Sequence, residues 1–130
     1  MLGEKIDELK AQVTGIRILP GHLVETSFQG DGKILGVECR QMGSYQSSMN
    51  PEGFLNGQGQ GMAMSKTGDM LTWKGHGVGW PNDKGGTTFR YSLIMETMSP
   101  KWARLNKVLG IGEWDTDAAG HGHAILWEWK

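Results

Sequence analysis

The chain has 130 residues, 21 of them glycine, and its 13 basic residues against 14 acidic ones leave a formal charge of −1. That length suits a single domain, able to bury about two-thirds of its unfolded surface without a metal or disulfide, and the balanced charge with no basic run argues against a nucleic-acid partner. Cys39 stands alone, "MLGEKIDELK" lacks the apolar core of a signal peptide, and no apolar run approaches the ~20 residues of a membrane span, so a cytoplasmic protein without a membrane partner is expected.

At the N-terminus, Leu2, Ile6, Leu9 and Val13 fall at helical spacing between Glu4, Lys5, Asp7, Glu8 and Lys10, which predicts a short amphipathic helix packed on the rest. From about residue 12 the apolar period becomes two. Candidate strands run 12–19, 22–29, 33–41, 43–49, 54–65, 69–80, 86–97, 109–116 and 121–130. The breaks carry turn chemistry: Pro20-Gly21, Gly30-Asp31-Gly32, Pro51-Glu52-Gly53, Lys66-Thr67-Gly68, Pro81 to Gly86, and Ala118-Ala119-Gly120. Short strands joined by such turns, without intervening helices, predict an all-β antiparallel meander. Eight or nine of them would close most economically into an up-and-down barrel, with a two-sheet sandwich as the alternative. One interruption, "SPKWARLNKV" (99–108), has Ser99 as a candidate N-cap, Pro100 at the first helical position, and Trp102 and Leu105 on one face. It predicts a short helix closing one end of the barrel.

Two glycine triplets raise a sharper question. Gly57, Gly59 and Gly61 form one, and Gly75, Gly77 and Gly79 the other. A dinucleotide fingerprint needs a third glycine where Met62 and Trp80 stand, followed by a helix, and no G-K-[ST] triplet exists for a P-loop. The phosphate reading fails, and no cofactor is expected. On a strand, each triplet strips one face of its side chains. The favoured reading is curvature plus seats for aromatic rings, with a ligand in that space as the minority reading. If Lys66-Thr67-Gly68 is a three-residue loop with Gly68 at positive φ, the two stripes lie side by side.

Few constellations suggest chemistry. His121 and His123 are two apart on a strand, but a metal site needs three or four ligands, and neither His22 nor His76 stands at a recognisable spacing, so no metal site is expected. Cys39 reads as a core thiol, and no nucleophile motif is present. In "TTFRYSLIMET", Phe89, Tyr91, Leu93 and Met95 share one face, and Arg90, Ser92, Ile94 and Glu96 the other. In "HGHAILWEWK", Ile125, Trp127 and Trp129 oppose Leu126 and Glu128. The plain reading sends the charges to water while aromatics fill the barrel. The alternative places Arg90, Glu96 and Glu128 inside, as polar contacts of an enclosed ligand. The ending "WEWK" predicts that the last strand is an integral member of the sheet.

The run "GQGQGMAMSKTGDMLTWKGHGVGW", the strand with "FRYS", the "SPKWARLN" helix and the closing "WEWK" together resemble small uncharacterised bacterial proteins. At fold level these are similar to calycin-like and allene-oxide-cyclase-like β-barrels. The resemblance implies a closed barrel over residues 12–130, with an apolar cavity and self-association. The leading functional expectation is binding of a small apolar molecule, with Trp73 among the pocket lining and Arg90, Glu96, Glu128 and Tyr45 as orienting contacts. A cyclase or isomerase using Glu96 or His76 for proton transfer is the second. A self-associating, non-catalytic module, possible as a homo-oligomer, is the third.

Overall fold

The computed structural model describes residues 1–130. Eight strands follow in order: β1 (Leu2–Leu19), β2 (Leu23–Ile34), β3 (Val37–Met49), β4 (Leu55–Ser65), β5 (Met70–Pro81), β6 (Thr87–Thr97), β7 (Leu109–Thr116) and β8 (His121–Trp129). Each pairs antiparallel with the next, and β8 returns to β1 to close the barrel. The ends of the chain complete that seam. Leu2 opposes Trp129, and the Lys130 amide donates to the Met1 carbonyl at 2.8 Å. "WEWK" is thus sheet up to Trp129.

The expected N-terminal helix is not there: residues 2–19 form the longest strand. Closure explains this, because both β2 and β8 need β1 as a hydrogen-bonding neighbour, and a helix would leave two open edges. The helical spacing comes from a bulge. Lys5 opposes Trp127 and Asp7 opposes Leu126, so Ile6 is the extra residue, and both Ile6 and Asp7 turn inward. The extra residue makes the gap of three between Ile6 and Leu9, and beside the gap of four from Leu9 to Val13, two ordinary strand periods, it reads as a helix.

Of the eight or nine expected strands there are eight, because the candidates 33–41 and 43–49 run on without a break at Met42 in β3. Gly30-Asp31-Gly32 is not a turn but part of β2, and the chain reverses at Leu35-Gly36, whose φ values of 48° and 80° make a tight two-residue hairpin. Gly30 is glycine for another reason. A Cβ there would collide with the Lys10 carbonyl oxygen of β1.

Between β6 and β7 the chain forms a 3₁₀ helix, Pro100–Lys107. Ser99 stands at its N-cap but makes no capping bond; its hydroxyl goes to Asp69 instead. With three residues per turn, Trp102 and Leu105 eclipse one another on one face, and both are fully buried. The Trp102 indole N–H donates to the Ile34 carbonyl at 3.1 Å, which ties this helix to the end of β2. Ile6, Ile34, Leu71 and Met95 pack with it and close that end. A second layer, built from Leu9, Phe28, Phe89, Trp114 and Ala124, occupies the lumen beyond.

Candidate functional site: an aromatic lumen with one carboxyl group

The two glycine stripes meet inside the barrel. Gly57 opposes Gly77, and Gly59 opposes Gly75. The hairpin between them has the three-residue loop Lys66-Thr67-Gly68, with Gly68 at φ 86°, the condition that sets the stripes side by side. Their bare face looks into the lumen, where rings from other strands fill much of the space. A Cβ on Gly61 would meet the Trp73 indole at 2.5 Å and one on Gly79 the Phe89 ring at 2.6 Å, whereas Gly75 and Gly77 make room for the Ser92 and Arg90 carbonyls of β6. Gly61 and Gly79 are seats for aromatic rings.

The rings form a connected set. Phe28 and Trp114 have centroids 5.0 Å apart, and Tyr45 meets Phe89 edge-on at 5.4 Å. The Trp114 indole N–H donates to the Tyr45 hydroxyl at 3.2 Å, so that polar pair is satisfied across the lumen. What the rings leave open is a cavity of about 100 Å³. Its wall combines Phe28, Trp73, Tyr91, Leu93 and the glycine stripes with one carboxyl group, that of Asp7.

Asp7 is built into the wall by its neighbours. The side-chain amide of Gln41, on β3, reaches over β2 and donates to both Asp7 oxygens at 3.0 Å. It crosses at Gly32, where a Cβ would lie 2.5 Å from the Gln41 Nε2 and 2.9 Å from the Asp7 Oδ1. Only glycine leaves room for that bond. Burial pushes the Asp7 carboxyl up to about 6; the Gln41 amide and main-chain N–H groups oppose the shift without cancelling it. Nearby, burial also raises the Cys39 thiol and the Tyr91 phenol above their ordinary values, and the Asp7 charge adds to both.

The residues singled out from the sequence divide between lumen and surface. Tyr45 and Trp73 line the cavity. Arg90 does not enter it: it lies outside over the Trp80 ring, 5.6 Å from its centroid, and 3.6 Å from Glu113. Glu96 is exposed on the same outer face of β6. Glu128 has the inward parity of β8 but lies at the plugged end, paired with Arg104 of the 3₁₀ helix at 3.3 Å. His76 is an exposed side chain between inward Gly75 and Gly77, so what it presents to the cavity is main chain. The alternation that buries Phe89, Tyr91, Leu93 and Met95 sends Arg90 and Glu96 to water, which corrects the expectation of an enclosed Arg90–Glu96–Glu128 set.

The histidine pair points outward too. His121 bonds Asp117 at 3.0 Å and His123 bonds Glu8 at 2.8 Å. No three of the His, Cys, Asp and Glu side chains are grouped to hold a metal.

Asp7 and Gln41 were missed because the helical reading put Asp7 on a solvated face. One signal was available: from Glu8 to Val13 polar and apolar residues alternate, and Asp7 has the parity of Leu9, Ala11 and Val13.

No family model matches this chain, and no curated protein matches it in sequence. Solved structures do match its fold. A conserved protein of unknown function from Rhodopseudomonas palustris is 15% identical, covers 98% of this chain and 97% of its own, and has a TM-score of 0.79. A protein with unknown function from Clostridium acetobutylicum ATCC 824 is 12% identical over 96% of both chains, with a TM-score of 0.83. A beta-barrel like protein from Acinetobacter baumannii AYE is 13% identical over 98% of this chain and 94% of its own, with a TM-score of 0.81. At these identities the likeness is one of fold: a closed eight-stranded barrel found in bacterial proteins of unknown function.

Proposed function

We propose that this protein binds a small, largely apolar molecule in the barrel lumen. The observation that carries the reading is the cavity beside the glycine stripes, walled by Phe28, Trp73 and Tyr91 and holding a single carboxyl group. Apolar walls with few polar groups are the usual make-up of a small-molecule site. Size narrows the occupant. A cavity near 100 Å³ is on the scale of the ~150 Å³ engineered cavity that takes up benzene, and well under the ~300–1,000 Å³ of drug-sized sites. The occupant is therefore a molecule of about one ring, not a fatty acid or a polycyclic cofactor. The likeness to calycin-like barrels belongs to this proposal, as do a cytoplasmic location and self-association through exposed outer-wall residues such as Leu2, Ile94, Leu109 and Trp129.

Native mass spectrometry of freshly purified protein, with solvent extraction of anything retained, tests the reading and reports the number of subunits. A reproducible mass increment of one small molecule per barrel is the expected result. A clean sequence mass, together with no uptake of benzene-sized compounds added in excess, overturns it.

A second reading, proton transfer of the isomerase type, is supported by one observation. Asp7 faces the cavity with its carboxyl raised to about 6, where it can give and take a proton near neutral pH. In that reading Asp7 takes the place of Glu96 and His76. Exchange of solvent deuterium into a bound ligand, lost in Asp7→Asn, is its test.

A further inference from the structure

Asp7 sits in an unbalanced position. No lysine, arginine or histidine comes within ion-pair distance of it, although the protein makes nine such pairs elsewhere. Its one side-chain donor is the neutral amide of Gln41, which serves both oxygens with a single nitrogen. The main-chain N–H groups of Glu8 and Lys33 also reach it, and every one of these donors is neutral, so the carboxylate receives hydrogen bonds but no counter-charge. No titratable group on the lumen side pairs a positive charge with it, and although Lys5, Lys10, Lys33, Arg40 and Lys66 border a second groove that Asp7 also lines, none forms an ion pair with it. On β1 there is Glu8, engaged outside with Lys5 and His123; on β3 the Cys39 thiol; on β6 the Tyr91 phenol; on β2 Lys33 contributes only its main-chain N–H; and β8 presents Leu126. An unpaired carboxylate in an apolar wall is costly, a cost relieved by protonation at low pH and, above about pH 6, by a cationic occupant.

The rest of the wall suits a cation as well. The rings of Phe28, Trp73 and Tyr91 border the same cavity, and aromatic faces attract desolvated ammonium groups. An anion would meet Asp7 with like charge. A neutral hydroxyl would leave the charge uncompensated. We propose that the occupant of the lumen is an amine bound as its ammonium ion, the nitrogen seated on the Asp7 carboxylate beside Gln41 and the apolar body among Phe28, Trp73 and Tyr91. The inference rests on the lumen being a binding site and adds the chemical class of what enters it.

Benzylamine, benzyl alcohol, toluene and benzoate form a matched series of one ring each. Their binding to the full-length protein at pH 7.5 is measured by calorimetry or tryptophan fluorescence. Benzylamine is expected to bind at least about tenfold more tightly than benzyl alcohol, the scale of one charge-assisted hydrogen bond, with benzoate weakest. Asp7→Asn, of the same shape, erases that preference while retaining benzyl alcohol and toluene. In the unaltered protein, the carboxyl ¹³C resonance of Asp7 titrates at lower pH when benzylamine is saturating. If benzyl alcohol and toluene bind but benzylamine binds no better, or the Asp7 titration does not move, the amine class is wrong while the lumen remains a site. If no member of the series binds to the protein or to Asp7→Asn, the binding reading itself fails.

Discussion

Trp73 on β5 stands directly opposite Gly61 on β4, and its indole fills the volume that a side chain on Gly61 would need. A Cβ on Gly61 would lie 2.5 Å from the ring, and one on Gly43, its partner on β3, would lie 3.0 Å from it. The indole lies across two neighbouring bare backbones, which form the floor beneath it. Gly61→Ala is therefore expected to destabilise the fold by about 1–3 kcal/mol, the usual cost of overpacking, and to push Trp73 into the cavity. Gly15→Ala, where nothing lies within 4 Å, serves as the control and leaves the urea midpoint unchanged or slightly raised. Equal midpoints for the two variants would contradict the seat role of the glycines.

Asp7 makes stability depend on pH in an unusual direction. Its carboxyl is at about 6 in the folded barrel against an ordinary 3.8, so folding takes up a proton between those values. Its contribution is fully present below about pH 4 and is lost as the pH rises through 6. By pH 7 the cost is about 3 kcal/mol, at ~1.36 kcal/mol per unit. Asp7→Asn should accordingly be more stable than the unaltered protein at pH 7, by up to that amount, and equal to it near pH 4.

Carboxylates on the outer surface act in the opposite sense. Hydroxyls of Ser65, Ser99 and Thr67 hold Asp69 far below the ordinary carboxylate range, and His123 and Lys5 lower Glu8 to about 2. These groups favour the fold above their ordinary values and lose that effect as the pH falls toward their folded ones. Together with Asp7 they place maximum stability between pH 4 and 5, where the two windows meet. A denaturant series from pH 3 to pH 8 checks this; a maximum above pH 7 would rule out the assignment to Asp7.

Arg90→Leu distinguishes surface from lumen. The side chain makes an exposed pair with Glu113 and stacks on Trp80, contributions of about 0–1 kcal/mol each. Uptake of a one-ring compound should match that of the unaltered protein. A loss of uptake at unchanged stability would place Arg90 in the binding machinery after all.

Trp102 plugs one end of the barrel and is expected to be the costliest single truncation. Trp102→Ala removes a fully buried indole and its bond to the Ile34 carbonyl, a loss of about 3–5 kcal/mol or more. Trp102→Phe retains part of the burial and should lose less. Thermal melts of the two variants give the order.

Much of this architecture was legible in the chain because it rests on local rules. Alternation in Phe89, Tyr91, Leu93 and Met95 marked the inner face of β6; Lys66-Thr67-Gly68 marked a turn, though not its length; Pro100, Trp102 and Leu105 marked the helix that closes an end. Period and turn chemistry are properties of neighbours in sequence, so they survive without tertiary information. What the local pattern could not hold was decided by closure. The need of β2 and β8 for a common partner made residues 2–19 a strand, whose alternation turned Asp7 inward with Leu9, while the bulge set Ile6 inward beside it. Gln41 and Gly32 meet Asp7 from strands 34 and 25 residues further along the chain, a juxtaposition that only the barrel register creates. Composition and spacing determined that the rings and glycines would share a barrel; long-range pairing decided which carboxyl group they would enclose.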